Sequence, residues 1–143
     1  MVSARACVHL IDINSDSERT APNCRFIVDD IESDWPEEIY DYIHQRSMGG
    51  SVSDWDKLFR QAFDHLRPGG YYEIQEMEFP LLSERGLVAE DSAIMRFLRH
   101  LDEAGKLAGL RYYVAKSPLE GELIRAGFEE VKHDAYMVST TAG

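Results

Sequence analysis

Short apolar runs separated by polar, Pro- or Gly-bearing stretches organise most of this chain, and two longer segments repeat their apolar residues at helical spacing instead. Ala6 to Ile13 is apolar up to Asp12 and reads as a buried strand. Asn14 to Asn23 is polar and holds Pro22, which makes it a loop. Cys24 to Val28, closed by Asp29-Asp30, and Ile39 to His44 are two further strands. The small residues of Ser47 to Ser53 lead into a helix, with Ser53 as the expected N-cap and Asp56 three residues on, a variant of the capping box. Trp55, Leu58, Phe59, Ala62, Phe63 and Leu66 fall on one face of that helix. Arg67-Pro68-Gly69-Gly70 should stop it, because Pro cannot continue a helix and Gly takes the left-handed turn. Tyr71 to Met77 is the next strand and Glu78 to Val88 a loop. Asp91 to Ala108 is a second amphipathic helix, with Ile94, Phe97, Leu98, Leu101 and Ala104 on its apolar face. Ser117-Pro118-Leu119-Glu120 opens a short helix that Gly127 ends, and Phe128 to Val138 is a last strand.

Strands alternating with helices imply an α/β fold, a mostly parallel sheet with helices on both faces. Ligands of such sheets sit beyond the carboxyl ends of the strands. One rim would therefore carry Asp12, Asp30, the segment from His44 to Ser47, and Gln75-Glu76.

At 143 residues the chain fits a single domain, residues 1–143, and its hydrophobic and charged fractions of 44% and 29% are those of an ordinary globular protein. The formal net charge of -11, spread along the chain, repels phosphate backbones and anionic lipid, so neither nucleic acid nor membrane is an expected partner. No stretch is long and apolar enough to span a bilayer, and the first residues lack an apolar run of signal-peptide length. The expected location is cytoplasmic, or nuclear. Cys7 and Cys24 sit in apolar runs and read as buried free thiols. The five histidines show no paired spacing, so no structural metal is expected.

Three stretches in order carry a family resemblance: Pro22 through Glu32, Asp41 through Ser47, and Asp54-Trp55 through Leu66-Arg67-Pro68-Gly69-Gly70-Tyr71-Tyr72-Glu73-Ile74-Gln75-Glu76. Glu90-Asp91-Ser92 and Leu123 through Phe128 fit the same pattern. Together they resemble the class I S-adenosylmethionine-dependent methyltransferases of the LaeA-like type, linked to fungal secondary metabolism. The resemblance implies an incomplete Rossmann-like fold. It also implies that Asp12 matches the acidic residue that binds the cofactor ribose, and Asp30 the one that approaches the adenine. A strand-end or capping role suits either aspartate equally.

The family's Gly-rich turn has no counterpart ahead of Asp12, since Met1 to Ile11 holds no glycine. Only glycine supplies the positive φ and close approach that such a turn needs. The expectation is therefore a chain that has lost S-adenosylmethionine binding and uses no cofactor. The expected function is that of a methyltransferase fold of fungal secondary metabolism repurposed to cyclise or rearrange a small apolar metabolite without cofactor; the alternatives are a fragment or remnant of a methyltransferase and a non-enzymatic interaction module. For the repurposed enzyme, Trp55, Tyr71 and Gln75 are the expected pocket residues and His44 and Glu76 the acid–base candidates, with a structural role the alternative for each. Loss of the family's central strand would leave unpaired inner edges. Direct pairing of Ala6–Ile13 with Ile39–His44, or a homodimer, would satisfy them.

Overall fold

The structure, a computed structural model, describes residues 8–11, 24–27, 29–77, 82–83, 86–112 and 116–136. The chain divides into two compact units, Met1–Glu38 and Ile39–Gly143.

The first unit holds β1 (Val8–Ile11) and β2 (Cys24–Ile27), paired in parallel with Val8 opposite Cys24 and Ile11 opposite Ile27. Both lie inside the apolar runs that predict them. After β2 the chain turns under its own side chains. The Asp29 carboxylate accepts from the Asp30 amide at 2.8 Å, the Asp30 carboxylate from the Glu32 amide at 2.9 Å, and the Ser33 amide donates to the Asp30 carbonyl at 2.9 Å. Such local bonds are why aspartate favours turns. The Trp35 indole closes the turn by donating to the Ile31 carbonyl at 2.9 Å. Cys7 and Asp12 lie outside the described residues.

The second unit is built on a parallel pair, β3 (Tyr40–Arg46) and β4 (Leu66–Gln75), joined through the helix α1 (Trp55–Asp64). Helix α1 forms because its apolar residues recur at helical spacing and because Asp54, one residue after the expected cap Ser53, accepts from the Lys57 amide at 2.8 Å. Trp55, Leu58, Phe59 and Ala62 face inward and, with Val52, make the buried core. Burying a leucine or phenylalanine side chain this fully stabilises by about 1.5–3 kcal/mol.

The expected end of that helix needs correcting. The helix stops at Asp64, and Leu66 begins β4 rather than extending the apolar face. The Arg67–Gly70 stretch is an excursion of the strand: Tyr40 pairs with Leu66, yet Tyr42 already pairs with Tyr71. Pro68 has no amide to give a ladder and Gly69 takes a φ of +80°, so this stretch suits a bulge better than regular strand. Arg67 anchors it to Asp41 at 2.6 Å.

Three other expectations are corrected. The Glu78–Val88 loop contains an antiparallel pair, β5 (Leu82–Ser83) and β6 (Gly86–Leu87). No strand forms over the described part of Phe128–Val138, residues 128–136; Met137 and Val138 lie outside it. The ladders among the described residues are β1–β2, β3–β4 and β5–β6, so the direct pairing of Ala6–Ile13 with Ile39–His44 is not among them.

Helix α2 (Ala93–Ala108) is capped by the Ser92 hydroxyl, and α3 (Lys116–Ala126) begins one residue before the expected cap Ser117. Both end in the same left-handed glycine motif. The Phe128 amide reaches back to Leu123 and the Gly127 amide to Ile124, while Leu110 and Gly109 repeat the arrangement on Gly105 and Lys106. The apolar face foreseen for α2 is only partly covered: Ile94 and Phe97 are exposed, and Leu98 and Leu101 half-buried. Phe128 docks where α1 meets the sheet, edge-on to Phe63 at 5.3 Å and stacked on Tyr72 at 5.4 Å. Gly127 permits this, since a Cβ there would lie 2.8 Å from the Phe63 ring.

Candidate functional site

Alternation along β3 and β4 sorts their side chains onto two faces. Gln45, Tyr72 and their neighbours Ile43 and Ile74 face α1, where Phe59 meets Tyr72 at 6.1 Å. The Tyr72 hydroxyl donates to Gln45 Oε1. Burial, then the nearby charge of Glu76, pushes that hydroxyl well above the usual phenol range.

The opposite face carries Tyr42, His44, Tyr71, Glu73 and Gln75. Parallel register sets His44 beside Glu73 and Tyr42 beside Tyr71. His44 Nδ1 lies 3.0 Å from Glu73 Oε2, the Tyr42 hydroxyl donates to the same oxygen, and Gln75 Nε2 donates to Glu73 Oε1 at 3.0 Å. Hydrogen bonds from Tyr42, Gln75 and His44 hold the Glu73 carboxyl well below the usual carboxylate range, at about 2. The same bond to Glu73 raises the Tyr42 hydroxyl. The group is exposed, with Tyr71 outermost.

At the carboxyl ends of β3 and β4 the chain makes a rim. Ser47 adopts a φ of +53° and donates its amide to the Gln75 carbonyl at 3.0 Å. Glu76 accepts from the amides of Met48 at 2.7 Å and Gly49 at 3.4 Å, and so fastens the rim loop. The Gly50 amide donates to the Arg111 carbonyl at 2.8 Å. The Tyr112 ring fills the space that side chains at Gly50 and Gly105 would need, since a Cβ at either would lie 2.4 Å from it.

Beside this rim an open hollow of about 320 Å³ lies between the start of α1 and the turn after α2. Trp55, Asp102, Lys106, Leu110 and Arg111 line it. The Arg111 guanidinium sits 5.6 Å from the centre of the Trp55 ring and is held by Glu122 through two 2.8 Å bonds. Buried Trp55 Nε1 has no hydrogen-bond partner among the described residues.

The structure thus distributes the residues singled out from sequence. His44, Tyr71 and Gln75 share the open face. Glu76 stands at the rim with backbone partners, and Trp55 belongs to the α1 side, apart from Tyr71. Asp30 is exposed after β2 in the first unit and caps a turn through Oδ1. Sequence reasoning missed Tyr42, Glu73 and Arg111. The alternation of Tyr42 with His44, and of Glu73 with Gln75, was the available signal, but only the register joins the two strands. Among the described residues no group of three His, Cys, Asp or Glu is placed to hold a metal ion, and no helix is long and apolar enough to cross a membrane.

Comparison with known proteins gives these features a family. Residues 3–133 match the family described as Methyltransferase domain. The chain is 42% identical over 113 residues to Methyltransferase pytC of Aspergillus terreus, covering 78% of this chain and 35% of that protein. It is 30% identical over 114 residues to Methyltransferase cpsF of Aspergillus campestris, covering 77% and 40%. It is 35% identical over 115 residues to the Secondary metabolism regulator laeA of Aspergillus flavus, covering 78% and 31%. The chain thus spans about a third of the length of the curated relatives it matches. No solved structure matches it. These relatives correct the expectation of a chain without cofactor, because methyltransferases use S-adenosylmethionine and nothing in the matches marks its loss. With parallel strand pairs, a βαβ rim and this ordered match over most of its length, the chain belongs to the methyltransferase-domain family, among relatives of the LaeA-like fungal type.

Proposed function

We propose that this chain serves an S-adenosylmethionine-dependent methyl transfer to a small apolar metabolite in fungal secondary metabolism, acting as a homodimer. The ordered match over residues 3–133, with relatives named as methyltransferases, carries the reading. S-Adenosylmethionine supplies an electrophilic methyl group when bound. The residues present suit its adenosine side. Asp29 and Asp30 follow β2 at the carboxyl end of a parallel ladder, both exposed, and each is engaged in its turn through Oδ1. A carboxylate at that edge accepts hydrogen bonds from ribose hydroxyls or an adenine amine. Asp12, which follows β1 in sequence, is proposed to share that role. In the second unit, Glu76 keeps the rim loop in place through two backbone amides. His44 on the open face and Glu76 remain the proposed proton-handling groups. A cofactor-free cyclisation finds no support among the relatives.

Saturation-transfer NMR with S-adenosylhomocysteine tests this reading on the chain as it stands. Transfer to the ribose and adenine protons is expected, and Asp30→Ala should weaken it. Absence of transfer to any ligand proton at millimolar concentration overturns the proposal.

A further inference from the structure

We propose that the open face of β3 and β4 binds a neutral phenol, its ring against Tyr71 and its hydroxyl on His44 Nε2. Glu73 and Tyr42 are the positioning residues that keep that nitrogen unprotonated. This deepens the proton-handling role proposed for His44 and rests on it, and every residue involved belongs to the second unit. Strands paired in parallel ordinarily have both faces covered and read as near-continuous apolar runs. Here the face opposite α1 carries Tyr42, His44, Tyr71, Glu73 and Gln75 instead. Such a departure from the local rule marks a functional candidate.

The geometry places the proton of neutral His44 on Nδ1. That nitrogen lies 3.0 Å from Glu73 Oε2 and 3.3 Å from the Tyr42 hydroxyl oxygen. Hydrogen bonds from Tyr42, Gln75 and His44 hold the Glu73 carboxyl at about 2, so it is ionised at neutral pH and only accepts. The Tyr42 hydroxyl gives its proton to Glu73, so toward Nδ1 its oxygen only accepts as well. Two acceptors at Nδ1 require the proton there, and the lone pair then sits on Nε2. Nε2 has no hydrogen-bond partner among the described residues, and the His44 side chain is 39% exposed. An imidazole oriented by a carboxylate is equipped as a general base. When it takes the phenol proton, the O–H bond breaks and an Nε2–H bond forms. The electron pair stays on the phenolate oxygen, and the Glu73 carboxylate balances the imidazolium.

The rings and the charge select the ligand. Tyr42 stacks along His44 with centroids 6.2 Å apart, and Tyr71, 75% exposed, pairs beside Tyr42. These rings offer an aromatic ledge. A carboxylate would face Glu73 and bring no proton. An ammonium would find both Glu73 oxygens already taken by Tyr42, His44 and Gln75. A neutral aromatic hydroxyl meets both the ledge and the base.

Long-range ¹H–¹⁵N spectra of the labelled chain, with His44 assigned through His44→Gln, read the tautomer directly. Nδ1–H is expected in the wild type and in Tyr42→Phe, and Nε2–H as the major form in Glu73→Ala. The first two readings stand even where Glu73→Ala fails to fold. A neutral His44 protonated on Nε2 in the wild type overturns the proposal. The binding probe is 4-nitrophenol at a pH below its own midpoint, where its phenolate band reports proton transfer. A saturable band is expected with the wild type and its loss with His44→Gln. Tyr71→Ala should raise the titration midpoint several-fold and leave the tautomer unchanged. 4-Nitroanisole, which has the ring without the proton, should leave the His44 nitrogens unmoved. No phenolate band with the wild type overturns the site. An undiminished band with His44→Gln overturns the role of His44, and equal movement with 4-nitroanisole overturns the selection of a phenol. A silent nitrophenol titration alongside positive S-adenosylhomocysteine transfer sinks this inference alone. The reverse result supports the site and sinks the methyl-transfer reading.

Discussion

Glu73 receives hydrogen bonds from Tyr42, Gln75 and His44 on an exposed strand face, and its carboxyl is depressed from 4.5 to about 2. A carboxylate with a lowered folded pKa contributes stability that is fully present above the unfolded value and is lost as the pH falls through the folded one. The gap in melting temperature between the wild type and Glu73→Gln should therefore stay constant above about pH 5.5 and close as the pH falls toward about 2. Thermal melts across that range check it; a gap that widens in acid would contradict the arrangement. Glu76 shows how the same residue type serves differently three residues further along the chain. Two backbone amides claim its carboxylate, so the geometry makes it a fastener of the rim loop whatever else it does. Nothing in the local sequence separates the two glutamates, because neither Tyr42 nor Met48 is near them along the chain.

Helix α1 was legible from the spacing of its apolar residues, of which Trp55, Leu58, Phe59 and Ala62 are buried, whereas Phe63 on the same expected face is exposed and Leu66 falls in β4. Leu58→Ala should lower stability by about 2–5 kcal/mol, as truncating a buried leucine does. Urea denaturation measures it, and a loss below about 1 kcal/mol would mean the core is not where the helix places it. The element-scale misses have particular causes. Arg67–Gly70 carries every mark of a helix stop, and the helix does stop before it. Those same residues are then absorbed as a bulge, because β3 lies alongside to pair with Tyr71 and the residues after it. Phe128–Val138 alternates well enough for a strand, yet Phe128 is claimed by Phe63 and Tyr72, and among the described residues no neighbouring strand meets residues 129–136. A strand needs a partner as well as a pattern.

In the second unit β3 and β4 form a two-stranded ladder, and the outer edge of each has no strand partner among the described residues. Such rows of N–H and C=O groups invite a second chain, and twofold pairs are the commonest way to supply one. Multi-angle light scattering is expected to give about twice the 16.3 kDa chain mass, and a monomer mass at every concentration would exclude the proposed dimer. By itself the sequence determined the α/β class, the core face of α1, the left-handed stop at Gly127 and the family, since each is written in nearest-neighbour chemistry or in ordered motifs. Only the tertiary structure decided that His44 meets Glu73 rather than Glu76, that Trp55 and Tyr71 stand on opposite sides of a sheet, and that Arg111 closes over Trp55. Those contacts join residues up to fifty-six positions apart, and strand register and chain reversal bring such residues together, which no local pattern encodes.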